Sequence, residues 1–385
     1  MTQILVVDDE ADLELLIRQR FRKQIQNNEF EFLFAQNGVR ALELLGKEPN
    51  ITMVLSDINM PEMDGLTLID RINEKYAHLI CVVISAYGDL ANIRSAMNLG
   101  AFDFVTKPIN FSDLNITIEQ ALKHVALLRG AETDKLKLNS ILQELNVAAT
   151  IQQSILPKRF ITNSTLELYA TMKPAREIGG DFYDFFNIGD DTIGFIIADV
   201  SGKGVPAALF MTVSRTLVRA HAATEHSPGL CLQKVNELLA KENENMMFVT
   251  AFYGQLNYRT GHVVFANAGH NRPYWLKKSG EMVLLQAAQN VPLGIMEQVI
   301  YNEGEIDLEP GDRLFLYTDG LTDAIDGDSK KYGEQPTIDL LKTIQDKTVQ
   351  EQIELVKNQV EQFSKGQPQF DDITILELKY APIRS

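Results

Sequence analysis

Residues Gly194–Phe210 read GFIIADVSGKGVPAALF, and this stretch decides the fold of the second half of the chain. Its apolar first part predicts a strand that runs into Asp199, and the small residues after it predict a turn. Pro206 then opens a predicted helix that continues to about Ala223, because proline is favoured in the first turn of a helix. A carboxylate therefore stands at the end of a buried strand.

A second apolar run, Phe182–Ile188, comes before this strand, and residues 189–191 between the two runs have the Gly-Asp-Asp composition of a hairpin turn. If the hairpin pivots on residue 190, residue i pairs with residue 380 minus i (380 being twice 190), so Asp181 falls opposite Asp199. Cross-strand neighbours have Cβ atoms roughly 4.5 to 5.5 Å apart. Two like charges that close are unfavourable without a cation between them, so the pattern predicts a metal site.

The composition is that of a soluble protein with several domains. A chain of 385 residues is too long for one average core and predicts two or three domains. The net charge of −16 repels phosphate backbones and anionic membranes, which disfavours nucleic-acid binding. No stretch approaches the roughly 18 apolar residues of a membrane span. Cys81 and Cys231 lie in apolar or helical patterns, which indicates packed thiols in a reducing compartment, and we expect a cytoplasmic protein.

The first third of the chain alternates apolar runs with amphipathic helical patterns, which predicts right-handed crossovers and a doubly wound parallel sheet of the α/β class. The runs are Ile4–Val7, Phe30–Phe34, Met53–Ser56, Ile80–Ile84 and Phe102–Thr106. Polar residues follow these runs, and in an open parallel sheet that edge binds ligands. They are Asp8, Asp9, Asp57, Ser85 and Lys107. Each alone is more often a turn former, but together they suit a divalent ion and a phosphoryl group.

This segment, about residues 1–122, resembles the receiver domain of two-component response regulators. The matching stretches are Val6-Val7-Asp8-Asp9-Glu10, Asp57-Ile58-Asn59-Met60-Pro61-Glu62-Met63-Asp64-Gly65, Ser85-Ala86-Tyr87-Gly88 and Thr106-Lys107-Pro108. The resemblance implies that Asp57 accepts a phosphoryl group from a sensor histidine kinase or phosphotransfer protein. It implies a Mg²⁺ ion held by Asp8, Asp9, Asp57 and the Asn59 carbonyl.

The same resemblance implies a switch in the receiver. Lys107 would pair with the phosphoryl oxygens, Ser85 would hydrogen-bond one of them, and Phe104 occupies the place of the aromatic switch residue. For Phe104, a place in the core of its strand is an equally good interpretation. An added phosphoryl charge draws Ser85 and Lys107 toward it.

A long helical segment follows the receiver. Residues 111–156 contain no proline and one glycine, and apolar residues recur there at spacings of three and four. They are Leu114, Ile118, Ala121, Val125 and Leu128, then Leu138, Ile141, Leu145 and Ala148. We interpret residues 123–157 as a helical or coiled-coil linker through which the protein forms a homodimer. The alternative is that each run packs on its own domain as an ordinary helix.

Strand and hairpin signals dominate the chain from residue 158 to residue 385. Helical patterns occupy about 206–223, 228–242 and 336–363, so the region predicts an α+β domain of two antiparallel sheets flanked by helices. Asp199 and Asp319 end predicted strands, whereas Asp181 and Asp371 precede theirs. In antiparallel neighbours these ends coincide, so four carboxylates can gather at one rim and hold hard cations. His270 lacks a second histidine at ligand spacing, so we take it as a turn or supporting residue.

Residues 145–380 resemble the metal-dependent PPM-type serine/threonine phosphatases, in the bacterial branch that regulates sigma factors by partner switching. The signatures are Ala149-Thr150-Ile151-Gln152-Gln153-Ser154-Ile155-Leu156-Pro157, Gly179-Gly180-Asp181-Phe182-Tyr183-Asp184, Asp199-Val200-Ser201-Gly202-Lys203-Gly204, Asn267-Ala268-Gly269-His270-Asn271, Tyr317-Thr318-Asp319-Gly320 and Asp371-Asp372-Ile373-Thr374. The resemblance implies two Mn²⁺ or Mg²⁺ ions.

By this resemblance the ions are bound by Asp181, Asp199, the Val200 carbonyl, Asp319 and Asp371, and Asp372 orients its neighbour. Arg176 is a possible phosphate-binding residue, or a solvated surface residue.

Two functions of different class follow. The first is an enzyme in which phosphorylation of Asp57 controls hydrolysis of phosphoserine or phosphothreonine on an anti-sigma-factor antagonist or similar regulator. The alternative is a catalytically weak adaptor that binds and sequesters a regulatory partner in a phosphorylation-dependent way. The presence of all four aspartates favours the enzyme. A DNA-binding regulator would need a basic output domain.

Overall fold

The computed structural model describes residues 1–76, 78–86, 88–241, 243–286 and 290–381, apart from the side chains of Arg129 and Glu132. Tyr87 of the receiver motif, Glu242 at the end of a predicted helix and the last four residues of the chain lie outside the described residues. The chain forms two compact units, residues 1–140 and 141–385. The division falls inside the predicted linker 123–157, and the predicted domain limits stay a prediction.

The first unit is built on a five-stranded parallel sheet, as predicted. The strands are β1 (Thr2–Val7), β2 (Phe30–Ala35), β3 (Ile51–Asp57), β4 (Ile80–Ala86) and β5 (Asp103–Lys107), and the helices are α1 (Ala11–Arg20), α2 (Arg22–Gln26), α3 (Gly38–Lys47), α4 (Gly65–Lys75) and α5 (Leu90–Asn98). The spatial order is β2-β1-β3-β4-β5, so β1 lies between β2 and β3. Because the strands are parallel, all five carboxyl ends meet at one edge of the sheet.

Alternate residues of each central strand enter two different cores. In β1, Ile4 and Val6 join a core with α1, while Leu5 and Val7 join a core with α3, α4 and α5. Side chains that alternate across a sheet explain why the strand is apolar throughout rather than at every second position. The doubly wound class predicted from the sequence is confirmed.

One long helix, α6 (Phe111–Ile155), begins in the first unit and ends in the second. In its first apolar run, Leu114, Ile118, Ala121 and Val125 are buried in the core that α1 covers, so for these four residues the ordinary-helix alternative holds, whereas Leu128 is 46% exposed. In the second run, Leu138 and Ile141 are more than half exposed. Dimerisation through this helix stays a prediction. None of the described helices combines the length and apolar character that crossing a membrane requires.

The second unit contains two antiparallel sheets, as predicted. Its strands are β6 (Ile161–Thr162), β7 (Leu166–Lys173), β8 (Phe182–Asn187), β9 (Thr192–Val200), β10 (Val249–Asn257), β11 (His262–Ala268), β12 (Tyr274–Leu276), β13 (Met282–Leu284), β14 (Glu303–Asp307), β15 (Arg313–Tyr317) and β16 (Ile373–Tyr380). The sheet orders are β14-β11-β10-β9-β8 and β13-β12-β15-β16-β7-β6. The sequence patterns had not indicated β6, β7 or β14.

Helices cover the outer faces of both sheets. They are α7 (Val205–Ala222), α8 (Pro228–Lys241), α9 (Asp319–Thr322), α10 (Gln335–Thr343) and α11 (Val349–Phe363). One core joins α7 and α8 to β9 and β10 and continues between the sheets to Leu314 and Leu376. A second core joins α10 and α11 to the outer face of β15 and β16. The unit therefore has four layers, with the sheets inside.

The single helix predicted over residues 336–363 is wrong, because the chain forms α10 and α11 with a break between them. Thr348 starts α11 with a capping box, in which its hydroxyl accepts from the Glu351 amide and Glu351 accepts from the Thr348 amide. Buried Arg313 donates to the carbonyl oxygens of Gln345, at 3.1 Å, and Lys347, at 2.5 Å. A periodicity count does not detect a break that a distant arginine stabilises.

Candidate functional site

The hairpin of β8 and β9 has the predicted register. Phe182 lies opposite Ala198 and Asn187 opposite Ile193, and each pair of numbers sums to 380. Asp181 directly precedes β8, and the charge of Asp199 acts on its carboxyl group. The juxtaposition of these two carboxylates, inferred from turn composition, is confirmed.

The neighbouring sheet brings two more carboxylates to the same rim. Strands β15 and β16 are antiparallel, with Tyr317 opposite Ile375. Asp371 precedes β16, while Asp319 opens the short helix α9 directly after β15. The charges of Asp319 and Asp371 both act on Asp199. Four aspartates from distant points of the sequence therefore form one acidic cluster, which we call the carboxylate rim.

Burial and repulsion make the carboxylate rim electrostatically unfavourable by itself. Asp181 is 1% exposed, and burial together with the charges of Asp199 and Asp372 raises its pKa well above the usual carboxyl value. Burial and the charges of Asp319, Asp371 and Asp372 raise the pKa of Asp199 to about 7. Burial and Asp371 raise the pKa of Asp319. Several carboxylates that repel one another are a donor set for divalent cations.

Each of the two units contains a set of carboxylate oxygens that suits hard cations. Among the described residues, the group that brings three ligand oxygens within 4.8 Å of one another is Asp8, Asp9 and Asp57 of the receiver. The carboxylates of the rim act on one another through their charges, but among the described residues no three of them meet this spacing. Oxygen ligands without sulfur or paired histidines suit Mg²⁺ or Mn²⁺.

A buried carboxylate, Asp372, fixes the backbone that carries Asp181. Its Oδ1 accepts from the Ala175 amide at 2.7 Å, and its Oδ2 accepts from the amides of Gly180 at 2.6 Å and Asp181 at 3.3 Å. A Cβ atom at Gly179 would lie 2.5 Å from Asp372 Oδ2, so this position has no room for a side chain. The Asp372 carboxylate therefore orients Asp181 across the fold. Its contact with its sequence neighbour is made by the backbone, where the Asp372 amide donates to Asp371 Oδ1 at 2.9 Å.

The last turns of α6 hold the same backbone from the other side. Gln152 is 6% exposed, its Nε2 donates to the Gly179 carbonyl at 2.6 Å, and its Oε1 accepts from the Gly179 amide at 3.1 Å. Thr318, one residue before Asp319, donates its hydroxyl to Asp181 Oδ2 at 2.7 Å. Gln152 and Thr318 belong to quoted motifs, yet the sequence assigned them no role. The signal for Thr318 is a hydroxyl directly beside a rim carboxylate at a strand end.

Three further predicted residues lie around the rim. The Val200 carbonyl oxygen lies 3.0 Å from the point where a Cβ atom at Gly180 would be, so it is close to the backbone before Asp181. His270 is buried and bonds Thr250 Oγ1 through Nδ1 at 2.8 Å, and Thr250 lies opposite Asp199 in the β9–β10 register. Burial lowers the pKa of His270 to about 4, so its ring is neutral. Arg176 is exposed, near Gly204.

In the receiver, Lys107 joins the carboxylates that the sequence places at the sheet edge. Its Nζ lies 2.8 Å from Asp57 Oδ2, 3.1 Å from Asp8 Oδ2 and 3.0 Å from Glu10 Oε1. Although burial acts to lower the pKa of Lys107, these three carboxylates outweigh it and raise that pKa. Burial raises the pKa of Asp8. The receiver site thus carries its own internal cation.

The other receiver residues occupy different surroundings. Asp57 is 6% exposed, whereas Asp9 and Asn59 are exposed at the loop ends. Ser85 is fully buried, and within the described residues its hydroxyl has no hydrogen-bond partner. Phe104 in β5 is 40% exposed, so its ring is not a core residue, and the alternative of a place in the core is wrong.

Comparisons with known proteins match both units. The family described as response regulator receiver domain matches residues 4–119, and the family described as Stage II sporulation protein E (SpoIIE) matches residues 189–381. The solved SiaA-PP2C domain of Pseudomonas aeruginosa superposes with a TM-score of 0.57 at 25% identity, covering 63% of this chain and 98% of that domain.

Two curated relatives extend the likeness. Phosphoserine phosphatase RsbU of Bacillus subtilis is 28% identical over 271 residues, 70% of this chain and 79% of that protein. Protein IcfG of Synechocystis is 30% identical over 260 residues, which are 60% of this chain, and the chain spans 41% of the length of IcfG. Since the match to SpoIIE covers half of the sequence, the chain belongs to the Stage II sporulation protein E (SpoIIE) family, with a receiver domain in front of a PP2C-type phosphatase domain.

Proposed function

We propose that the chain is a two-component response regulator in which phosphorylation of Asp57 controls a metal-dependent protein serine/threonine phosphatase. The observation that carries the proposal is the carboxylate rim, where a hairpin register places Asp181 against Asp199 and the second sheet adds Asp319 and Asp371. The carboxylates of such a cluster repel one another, and binding of cations relieves this repulsion, so the cluster should bind cations tightly. All four aspartates are present, which favours the enzyme over the catalytically weak adaptor.

We assign the metal ligands to Asp181, Asp199, the Val200 carbonyl, Asp319 and Asp371. Two Mn²⁺ or Mg²⁺ ions bound there would lower the pKa of a water molecule and neutralise the oxygens of a phosphate ester, the chemistry that in-line hydrolysis needs. The chain's own part is to hold the ligands in place. Thr318 orients Asp181 through its carboxylate, and Asp372 and Gln152 fix the backbone at residues 179–181. Arg176, exposed near Gly204, is the candidate for contact with the substrate phosphate.

We infer that the substrate is phosphoserine or phosphothreonine on an anti-sigma-factor antagonist or similar regulator. Support comes from the likeness to phosphoserine phosphatase RsbU, which the chain matches over most of the length of that protein. The partly open rim, where Asp319 is exposed, can admit a side chain presented by another protein. The place of action is cytoplasmic, where histidine kinases or phosphotransfer proteins meet their receivers.

The receiver supplies the input. Asp57 accepts the phosphoryl group, and Asp8, Asp9, Asp57 and the Asn59 carbonyl hold Mg²⁺. Lys107, which forms an ion pair with Asp57, neutralises the charge of the added phosphoryl group. The Ser85 hydroxyl, which has no hydrogen-bond partner among the described residues, can donate to a phosphoryl oxygen. Phe104 is exposed in the neighbouring strand and can change its rotamer without opening the core.

Control passes through α6 in this proposal. The helix begins with residues buried in the receiver core and ends with Gln152 bonded to the backbone of Gly179. A change at the receiver face of α6 would move Gln152 and hence the turn that carries Asp181. The exposed apolar residues Leu138 and Ile141 suit pairing with a second copy, which makes a homodimer the expected state.

The test measures Mn²⁺-dependent hydrolysis of a phosphoserine protein by the wild type, Asp199→Asn and Asp57→Ala, with and without a small phosphoryl donor. Asp199→Asn should lose at least about 100-fold in rate, because a metal ion contributes several kcal/mol to such reactions. The donor should change the rate of the wild type and leave that of Asp57→Ala unchanged. Full activity in Asp199→Asn would reject the metal-site assignment.

A further inference from the structure

The loop between β9 and α7 holds a lysine at the edge of the carboxylate rim. Lys203 lies between Gly202, with φ of 87°, and Gly204, with φ of 75°. Glycine adopts such left-handed conformations at little cost, whereas other residues do so with strain. The two glycines therefore allow the loop to turn on both sides of Lys203, and the loop directs the Lys203 side chain to one of the rim carboxylates.

That carboxylate is Asp371. Lys203 Nζ lies 2.9 Å from Asp371 Oδ2 and donates to the Phe370 carbonyl oxygen. It also lies 4.1 Å from the centre of the Phe370 ring, which attracts a cation. The ion pair is partly open to water, since the side chains of Lys203 and Asp371 are 29% and 30% exposed.

No other rim carboxylate has such a partner within the described part of the chain. Asp181, Asp199 and Asp319 make no ion pair there. The charges of Lys203 and Lys331 act to lower the pKa of Asp319, but burial and the charge of Asp371 outweigh them and raise it. Lys203 is thus the internal cation of the rim, placed on a carboxylate that we assign to a metal ion. An ammonium group and a divalent cation cannot both occupy the same side of Asp371, because their charges repel.

We propose that Lys203 is an exchangeable counter-ion, which neutralises Asp371 in the metal-free rim, competes with the divalent cation for that carboxylate, and then contacts the phosphoryl group of the substrate. The inference rests on the proposed function and adds a substrate-binding residue to it. With Asp371 bound to a cation, the Lys203 ammonium would lose its anionic partner, while its flexible stem would keep it at the rim.

A second cation beside this loop points to the same ligand. A Cβ atom at Gly204 would lie 3.9 Å from Arg176 Nη1, so the guanidinium group of Arg176 is near the loop that carries Lys203. A phosphate monoester with two negative charges is attracted to a pair of cations at the mouth of a site. Lys203 is on the rim carboxylate Asp371, and Arg176 lies beside the loop that carries Lys203.

The test is calorimetric titration of Mn²⁺ into the full chain, without substrate, for the wild type, Lys203→Met, Lys203→Arg and the control Lys277→Met. Lys277 is matched to Lys203, because it is 32% exposed, forms an ion pair with Glu281 and lies over the Trp275 ring, away from the rim. Loss of the competing charge in Lys203→Met should tighten Mn²⁺ binding about tenfold. Lys203→Arg and Lys277→Met should bind Mn²⁺ much as the wild type does.

The same variants are then assayed for hydrolysis of the phosphoserine protein and for inhibition by inorganic phosphate. Lys203→Met should raise KM and the inhibition constant of phosphate about tenfold, whereas kcat changes less. If Lys203→Met does not fold, Lys203→Gln replaces it.

The outcomes separate the two proposals. A wild type that neither binds Mn²⁺ nor hydrolyses the phosphoprotein overturns the proposed function. A wild type that does both, with a Lys203→Met protein that binds Mn²⁺ equally or more weakly, overturns the counter-ion inference alone. Tighter Mn²⁺ binding with unchanged KM and phosphate inhibition overturns the contact with the phosphoryl group.

Discussion

The two acidic sites of this chain differ in how their charge is balanced. In the receiver, Lys107 contacts Asp57, Asp8 and Glu10, so one internal cation serves three carboxylates. In the carboxylate rim, Lys203 reaches Asp371, while Asp181 and Asp199 face each other with raised pKa values. We therefore expect the stability of the receiver to depend less on a bound metal ion than the stability of the rim does.

Asp181→Asn gives the largest expected effect in this comparison. It removes a proposed metal ligand, so hydrolysis of the phosphoserine protein should fall by more than about 100-fold. It also removes a buried carboxyl group that burial and the charge of Asp199 make costly to ionise, so the metal-free second unit should unfold at a higher temperature. Rates and calorimetry in a chelator measure the two effects. Asp328→Asn, in an exposed loop, is the control, and a lower unfolding temperature for Asp181→Asn would contradict the repulsion argument.

Asp372→Asn tests whether the backbone that carries Asp181 must be held in place. An amide nitrogen facing the Gly180 and Asp181 amides cannot accept their hydrogen bonds, so the turn should shift. We expect Mn²⁺ affinity to fall about 10- to 100-fold, as is usual when a residue that supports metal ligands is changed. Titration calorimetry measures it, and an unchanged affinity would show that Asp181 holds its position by itself.

Lys107→Met tests the receiver side of the comparison. The change leaves Asp8 and Asp57 without their cation, and it should destabilise the first unit by about 1–2 kcal/mol, a value reduced by the partial exposure of Lys107. Adding Mg²⁺ should then raise the unfolding temperature of the first unit more in Lys107→Met than in the wild type. Thermal unfolding with and without Mg²⁺ measures both effects, with the exposed Lys23→Met as control. An equal response to Mg²⁺ in both proteins would argue against Lys107 as the internal cation.

The smallest expected effect is a pH dependence of metal-induced stability. Asp199 titrates near 3.8 when unfolded and at about 7 in the metal-free fold, so between these values the folded state binds more protons. Stability of the metal-free second unit therefore falls as pH rises through this window. Since Mn²⁺ takes the place of the protons, the gain in unfolding temperature on adding Mn²⁺ should grow from pH 5.5 to 8. A gain that is constant over this range would contradict the assignment.

The sequence predicted features that depend on local spacing, and the register of the β8–β9 hairpin is the clearest case. One short turn fixed the pairing, and the pairing fixed which carboxylates meet. The gathering of Asp319 and Asp371 at the same rim followed from strand ends in antiparallel neighbours. The parallel receiver sheet followed from its alternating apolar runs.

Features that depend on contacts between distant residues were not predicted from the sequence. The break between α10 and α11 depends on Arg313, more than 30 residues away along the chain. The hydrogen bonds between Gln152 and Gly179 and the salt bridge between Lys203 and Asp371 join segments that are far apart in the sequence. The spacing of apolar residues does not show that such segments lie close together. The strand β14 alternates exposed and half-buried residues, so it lacks the apolar signal that marked its neighbours.

The β8–β9 hairpin has a consequence for how this protein can change during evolution. Because side chains alternate across a strand, inserting or deleting one residue in the turn at 188–191 would pair Asp181 with a neighbour of Asp199 and turn the two carboxylates to opposite faces. Substitutions in that turn are tolerable, but changes of length are not. Among homologous sequences, the number of residues between the two aspartates should vary less than the identity of the residues that fill the interval.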